Sequence, residues 1–184
     1  MLMHYIGRTA FPIFAFLITE GFIHTKNRKR YAINLILFAL LSEIPWNLAH
    51  TGDLFYSRQN VFFTLLLGYL GICAYEHYRG NVRNQSIALL ILLISSIIIR
   101  ADYGAFGFGF ILFLYLFRER KALMGIIGSC ILPSRWIGGM AFIPILMYNG
   151  NRGFAKAKWT KYVFYIFYPL HLMILYLVRT YVLL

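Results

Sequence analysis

The sequence predicts an all-α fold, a polytopic bundle of transmembrane helices with about eight membrane segments. Three observations predict it. First, 60% of the 184 residues are hydrophobic and the mean hydropathy is +0.67, too apolar for a soluble domain of this length. Second, apolar stretches follow one another with only short polar connections between them. Third, the basic residues alternate between dense and sparse connections. The dense set is Lys26, Arg28, Lys29 and Arg30, then Arg79 and Arg83, then Arg118, Arg120 and Lys121, then Arg152, Lys156, Lys158 and Lys161. The sparse set is Arg8, Arg58, Arg100, Arg135 and Arg179, without a single lysine. Cytoplasmic loops hold the excess of Lys and Arg, so the alternation also predicts orientation, with the dense loops inside.

The segments run 6–24, 31–49, 60–77, 86–101, 103–117, 122–133, 136–148 and 162–181. The first carries Arg8 and Glu20 and lacks a basic leader and a small-residue cleavage site, so it reads as a retained span rather than a cleaved signal. The second bends or ends at Pro45, whose missing N–H frees the Leu41 carbonyl. The third starts at Asn60, a residue suited to capping a helix. The fourth and fifth are separated by the shortest outer loop, Arg100-Ala101-Asp102-Tyr103-Gly104. The fifth, sixth and seventh are short of the roughly 20 residues a perpendicular crossing needs. The sixth and seventh read best as a hairpin around Pro133-Ser134, because fusing them would place the last basic loop outside. The eighth contains Tyr168-Pro169-Leu170-His171. Tyr31, Trp46, Tyr56, Tyr75, Tyr78, Trp136, Tyr148, Trp159 and Tyr162 fall where interfacial aromatic belts belong. No repeat, linker or soluble module interrupts the pattern, so residues 1–184 form one transmembrane domain. With eight crossings and Lys26–Arg30 inside, the N-terminus falls outside, and a further helix before Met1 would bring it inside.

The net charge of +12 is explained by helix orientation and anionic lipid heads, and no basic run interleaved with aromatics points to nucleic acid. Cys73 and Cys130 have neither disulfide nor metal spacing, and read as buried free thiols. An ionised side chain at the centre of a bilayer costs on the order of 3 kcal/mol, which singles out Glu20, Glu43 and Asp102 among the six acids. Glu20 and His24 share a helix face: they form either an acid–imidazole pair or a polar helix end paired to a loop lysine. Arg8, Pro12, Ala15 and Thr19 make a second stripe on that helix, small enough for a neighbour to pack closely. Glu43 lies beside the carbonyl that Pro45 frees, or meets an outer arginine. Asn60 is a cap or a pocket residue, and Arg100 and Asp102 either pair with each other or join Arg8, Glu43 and Asn60 in one outer pocket. His171 handles protons or satisfies a carbonyl freed by Pro169. On the inner side, Lys26–Arg30 and Asn149-Gly150-Asn151-Arg152-Gly153 combine cations with backbone donors, a combination that can hold phosphates.

The stretch IGRTAFPIFAFLITEGFIHTKNRKRY, followed by LLSEIPWNLA, QNVFFTLLLG, ADYGAFG, YNGNRG and KYVFYIFYPLHLMILYL, resembles the TraX family of multi-pass membrane proteins over nearly the entire chain. The family's namesake is linked to N-terminal acetylation of conjugative pilin, and the family is similar to membrane acyltransferases. The resemblance therefore implies a bacterial cell (inner) membrane protein that moves an acyl group from acetyl-CoA or another acyl-CoA, with no tightly bound cofactor, to an amine or hydroxyl on a pilin or another extracytoplasmic acceptor. Arg28, Lys29, Arg30, Asn149 and Arg152 would hold the CoA phosphates. Arg8, Asn60 and Arg100 would hold the acceptor. Glu20, His24, Glu43, Asp102, Tyr168 and His171 would carry the chemistry, with His171 as base and Tyr168 or Arg8 as oxyanion donor. The resemblance implies an additional first helix ending in Asp-His before Ile6-Gly7-Arg8: either the start is placed too late here or the form is shortened, and if that histidine is the base, the chain as written is expected to be inactive. A proton-coupled transporter and a non-enzymatic membrane scaffold are the competing readings, since buried carboxylates and a histidine also suit a proton pathway.

Overall fold

A computed structural model of the chain describes residues 2–132, 135–150 and 160–182, with the side chains of residues 2–8, 135–137, 160–162, 164 and 182 outside the description. The described residues form helices and connecting turns: α1 (Leu2–His24), α2 (Arg28–Thr51), α3 (Val61–His77), α4 (Val82–Ile98), α5 (Gly104–Leu116), α6 (Lys121–Ile131), α7 (Arg135–Met140), α8 (Phe142–Met147) and α9 (Thr160–Val182). The expected all-α bundle is what forms.

Polar residues in the connections start and stop these helices. Asn27, Asn60 and Asn81 cap α2, α3 and α4, each side chain accepting a backbone N–H from the first turn. At the far end of α2, Gly52 takes the left-handed conformation, φ 79°, and its N–H returns to the Leu48 carbonyl. Pro45 does not end α2, which continues unbroken to Thr51.

α3 is the central helix. It packs against α1, α2, α4 and α5, and more than half of its residues are buried. α3 and α5 approach closely because their facing surfaces carry glycine: a methyl group at Gly68 would overlap Ile111, and one at Gly107 would overlap Thr64 and the Tyr103 side chain. The α1 stripe read from the sequence faces inward, with Pro12, Ala15 and Thr19 fully or almost fully buried. Aromatic rings fill the remaining space between α1, α3 and α5. Phe11 stacks on Tyr103 at 3.7 Å, and Phe22 meets Tyr69 and Tyr115 edge-on. α9 runs alongside α2, with Tyr165 stacked on Phe38 and Arg179 reaching the Ala49 carbonyl.

α6, α7 and α8 form the expected hairpin. The ammonium of Lys121 at its start donates to the Tyr148 carbonyl at its end, 2.8 Å away. The returning limb, expected as one segment over 136–148, is instead two short helices broken at Ala141, whose N–H bonds to the Gly138 carbonyl. The turn expected at Pro133-Ser134 lies outside the described residues.

Among the described residues, one helix, Arg28–Thr51, is long and apolar enough to cross a membrane. Helices of 17 residues such as α3 and α4 are about 25 Å long at 1.5 Å per residue. The outward surface is apolar. α4 buries only Ser96 among its residues and turns Leu90, Ile91, Ile94, Ile97 and Ile98 outward. α2 likewise exposes Leu37, Leu40, Leu41 and Ile44.

Candidate functional site

The chain direction sorts the polar residues into two groups. The starts of α2, α4 and α6 and the ends of α1, α3 and α5 share the lysine-bearing end of the bundle. The end of α2, the start of α3 and the α4–α5 turn share the opposite end, and a polar cluster is built there.

Asn60 anchors this cluster. It is fully buried, and its role as a cap uses only its carbonyl oxygen, which accepts the Phe62 N–H at 3.0 Å. Its amide nitrogen donates to the Ala39 carbonyl at 2.8 Å and to Glu43 Oε2 at 2.7 Å. One side chain therefore caps α3 and ties it to α2, and it takes up Glu43. Among the described side chains, which leave out two of the outer arginines, Arg8 and Arg135, Glu43 forms no ion pair.

The α4–α5 turn supplies the next part. α4 ends in a Schellman motif, with the Arg100 N–H on the Ile97 carbonyl and the Ala101 N–H on the Ser96 carbonyl. Arg100 occupies the left-handed position at φ 54°, where glycine is the usual residue. The Gln59 N–H donates to the Arg100 carbonyl, which pins this turn to the α2–α3 connection. Between the two connections opens a cleft of about 570 Å³, whose walls include Ser57, Arg58, Ser96, Arg100, Asp102 and Tyr103. The Arg100–Asp102 salt bridge that sequence proximity allowed is not formed. Asp102 instead lies in the fields of His50 and Arg58, while burial, the larger influence, raises its pKa above the ordinary carboxylate value of 3.8.

Tyr168 of α9 joins the two parts. Its ring packs edge-on against Phe62. Its hydroxyl is buried beside the Val61 backbone without a well-formed hydrogen bond, within electrostatic reach of Asp102, Tyr103 and Glu43. A path of polar groups thus leads from Arg58 and Arg100 in the cleft, past Asp102 and Tyr168, to Glu43 and Asn60.

The other expected site residues lie elsewhere. His171, one turn beyond Tyr168, bonds to the Phe167 carbonyl and stacks on the Phe167 ring. It therefore does not satisfy the carbonyl that Pro169 leaves free, which belongs to Tyr165. Glu20 and His24 pair with each other at 3.2 Å near the lysine-bearing end, and among the described residues no loop lysine pairs with Glu20. Arg28 covers the Phe22 ring at 4.2 Å, and its carbonyl accepts the Tyr69 hydroxyl. Lys29 and Arg30 are exposed on the first turn of α2, and Asn149 follows α8. Arg152 lies outside the described residues, as does the side chain of Arg8, which sits one turn before Phe11 on α1. Cys73 and Cys130 are free thiols; Cys73 is half-buried and Cys130 exposed.

Sequence reasoning missed Arg58, which lines the cleft, and His50, which acts on Asp102 from beside it. Arg58 entered that reasoning only as a sparse basic residue, and His50 not at all. The available signal was the four-residue spacing of Trp46 and His50, whose rings meet at 3.8 Å while the Trp46 indole N–H donates to the Arg58 carbonyl.

Comparison with known proteins bears on this arrangement. The family model described as TraX protein matches residues 1–179. A Dichelobacter nodosus protein described as "Probable fimbrial assembly protein FimC, serogroup H1" is 28% identical over 205 residues, covering 94% of this chain and 81% of that protein. No solved structure matches the chain.

Proposed function

The chain belongs to the TraX family, and from that premise we propose that it is a multi-pass protein of the bacterial cell membrane that transfers an acyl group from acyl-CoA to an amine or hydroxyl acceptor, such as a pilin N-terminus. The outward apolar faces of α2 and α4 support the membrane part, since in water such continuous surfaces would associate. The lysine-bearing end would face the cytoplasm, with Arg28, Lys29, Arg30, Asn149 and Arg152 toward the CoA phosphates. The acceptor would enter at the opposite cleft.

One observation carries the chemical part: the buried Tyr168 hydroxyl lacks a well-formed hydrogen bond and feels the charges of both Asp102 and Glu43. An uncommitted O–H in a dry setting is suited to donate to an oxyanion as it develops. In this reading the acceptor nitrogen or oxygen attacks the thioester carbonyl while Asp102 takes its proton. Tyr168 stabilises the tetrahedral oxyanion. The C–S bond then breaks, and CoA leaves as a thiolate that picks up a proton. Glu43 and Asn60 act as positioning residues behind Tyr168. His171, held by its own helix, is a weaker candidate for the base than the sequence suggested.

The test is Tyr168→Phe in membranes supplied with labelled acetyl-CoA. Labelled product should fall by about 100-fold, the scale of losing one oxyanion donor, with thermal stability and gel-filtration behaviour unchanged. Undiminished labelling would end the role given to Tyr168. The Dichelobacter relative's name favours a second reading, a non-enzymatic part in fimbrial assembly. In that case the wild-type chain yields no labelled product.

A further inference from the structure

The cleft between the α2–α3 and α4–α5 connections is lined by two arginines, Arg58 and Arg100, against one acid, Asp102. Among the described residues neither arginine forms an ion pair; Arg58 acts on Asp102 only through space. Arg100 holds a left-handed backbone position that glycine fills more easily. Ser57 and Ser96 add hydroxyls to the same walls, although Ser96 is committed to the Leu93 carbonyl. At about 570 Å³ the space suits a small molecule rather than a lone ion.

We infer that this cleft binds the phosphate group of a small phosphorylated molecule, held between Arg58 and Arg100. A tetrahedral oxyanion can accept a fork of N–H donors from each of two directions, whereas one fork already satisfies a planar carboxylate. Asp102 on the same wall opposes a second negative charge, and it faces any hydroxyl or amine the molecule carries beyond its phosphate. The group's source is either a phospholipid head at this end of the bundle or a soluble phosphate ester. Binding at this cleft does not require that the chain transfer an acyl group.

Trp46 provides a built-in reporter, because its indole N–H donates to the carbonyl of Arg58 at 2.9 Å. The full chain, purified in neutral detergent, is titrated with inorganic phosphate and with glycerol phosphate. It is also placed in nanodiscs of rising phosphatidylglycerol content. A saturable change in tryptophan fluorescence is expected. The dissociation constant should rise at least about tenfold in Arg58→Gln and in Arg100→Gly, since each removes charge-assisted hydrogen bonds. Arg100→Gly leaves the left-handed turn intact, so its loss of binding cannot be assigned to the backbone. Asp102→Asn should tighten binding of inorganic phosphate, a change of opposite sign that unfolding does not produce. Saturation by the soluble probes identifies a soluble phosphate ester, and a response confined to anionic nanodiscs identifies a lipid head; both support the site. A flat response to every probe, or one unchanged in both arginine variants, overturns it. Absent acyl transfer with an intact phosphate response would sink the transferase reading alone.

Discussion

The two ends of the bundle use the same residue types differently. At the lysine-bearing end each acid has a basic partner within four residues of it along the chain, although Glu76 also accepts from Tyr115 of α5. Glu20 pairs with His24, Arg79 and the Tyr115 hydroxyl take Glu76, and Arg118 lies over Tyr115 beside Glu119. At the opposite end Glu43 is met from the start of a different helix, by Asn60, and among the described residues Asp102 has only through-space partners. The basic partners His24 and Arg79 are exposed, and pairs of this kind between neighbours on one helix contribute little. Acids held by another helix bind the fold to the site, because moving either one disturbs both.

The sharpest way to break this contrast is Asn60→Leu. It removes an N-cap and the donor to Glu43 and the Ala39 carbonyl, leaving a carboxylate without its buried partner. A loss of about 3 kcal/mol is expected from the cap and the unsatisfied groups together, read as a lowered midpoint in thermal unfolding. A stability equal to wild type would show that the bridge between α2 and α3 carries no weight.

Asp102→Asn should act in the other direction and more weakly. Burial raises the pKa of Asp102, so the folded chain holds that proton more tightly than the unfolded chain does. The sign follows: the wild type is at its best, on this account, below the ordinary value of 3.8, and it loses stability as the pH rises through the folded value. The asparagine variant should therefore melt higher than wild type at neutral pH and match it in acid. A gap that persists undiminished in acid would remove ionisation as the cause.

The smallest effect belongs to the lysine-bearing end. Glu20→Gln disrupts an exposed pair one turn apart on α1, and its cost should stay within about 0.5 kcal/mol by the same thermal measurement. A loss as large as that of Asn60→Leu would erase the distinction between the two ends.

Much of the fold was legible because helices declare themselves locally. Apolar runs mark the segments, the asparagines before them cap the first turns, and the hairpin over 122–148 followed from where the basic residues lay. The break at Ala141 had a signal that went unread: Pro144 lacks the N–H that would bond to the Met140 carbonyl, where α7 ends. The left-handed residue after α4 was hidden as well: arginine stands where glycine would have signalled a Schellman cap. At the site, Asn60 could be read as a cap from its position, but its hold on Ala39 and Glu43 crosses 21 and 17 residues. Tyr168 was chosen for its neighbours Pro169 and His171, yet what sets it apart is a buried, unpartnered hydroxyl in the fields of Asp102 and Glu43, which come from other elements.

By itself the sequence determined the helical segments, their order and the end at which the lysines gather, because hydropathy, capping and charge are properties of short stretches of chain. Only the tertiary structure decided which scarce polar groups meet. Glycine at Gly68 and Gly107 draws α3 against α5, and Asn60 draws α3 against α2. Those approaches, set by side-chain volume and hydrogen bonding across helices, put Glu43 on Asn60 and set the α4–α5 turn against the α2–α3 connection.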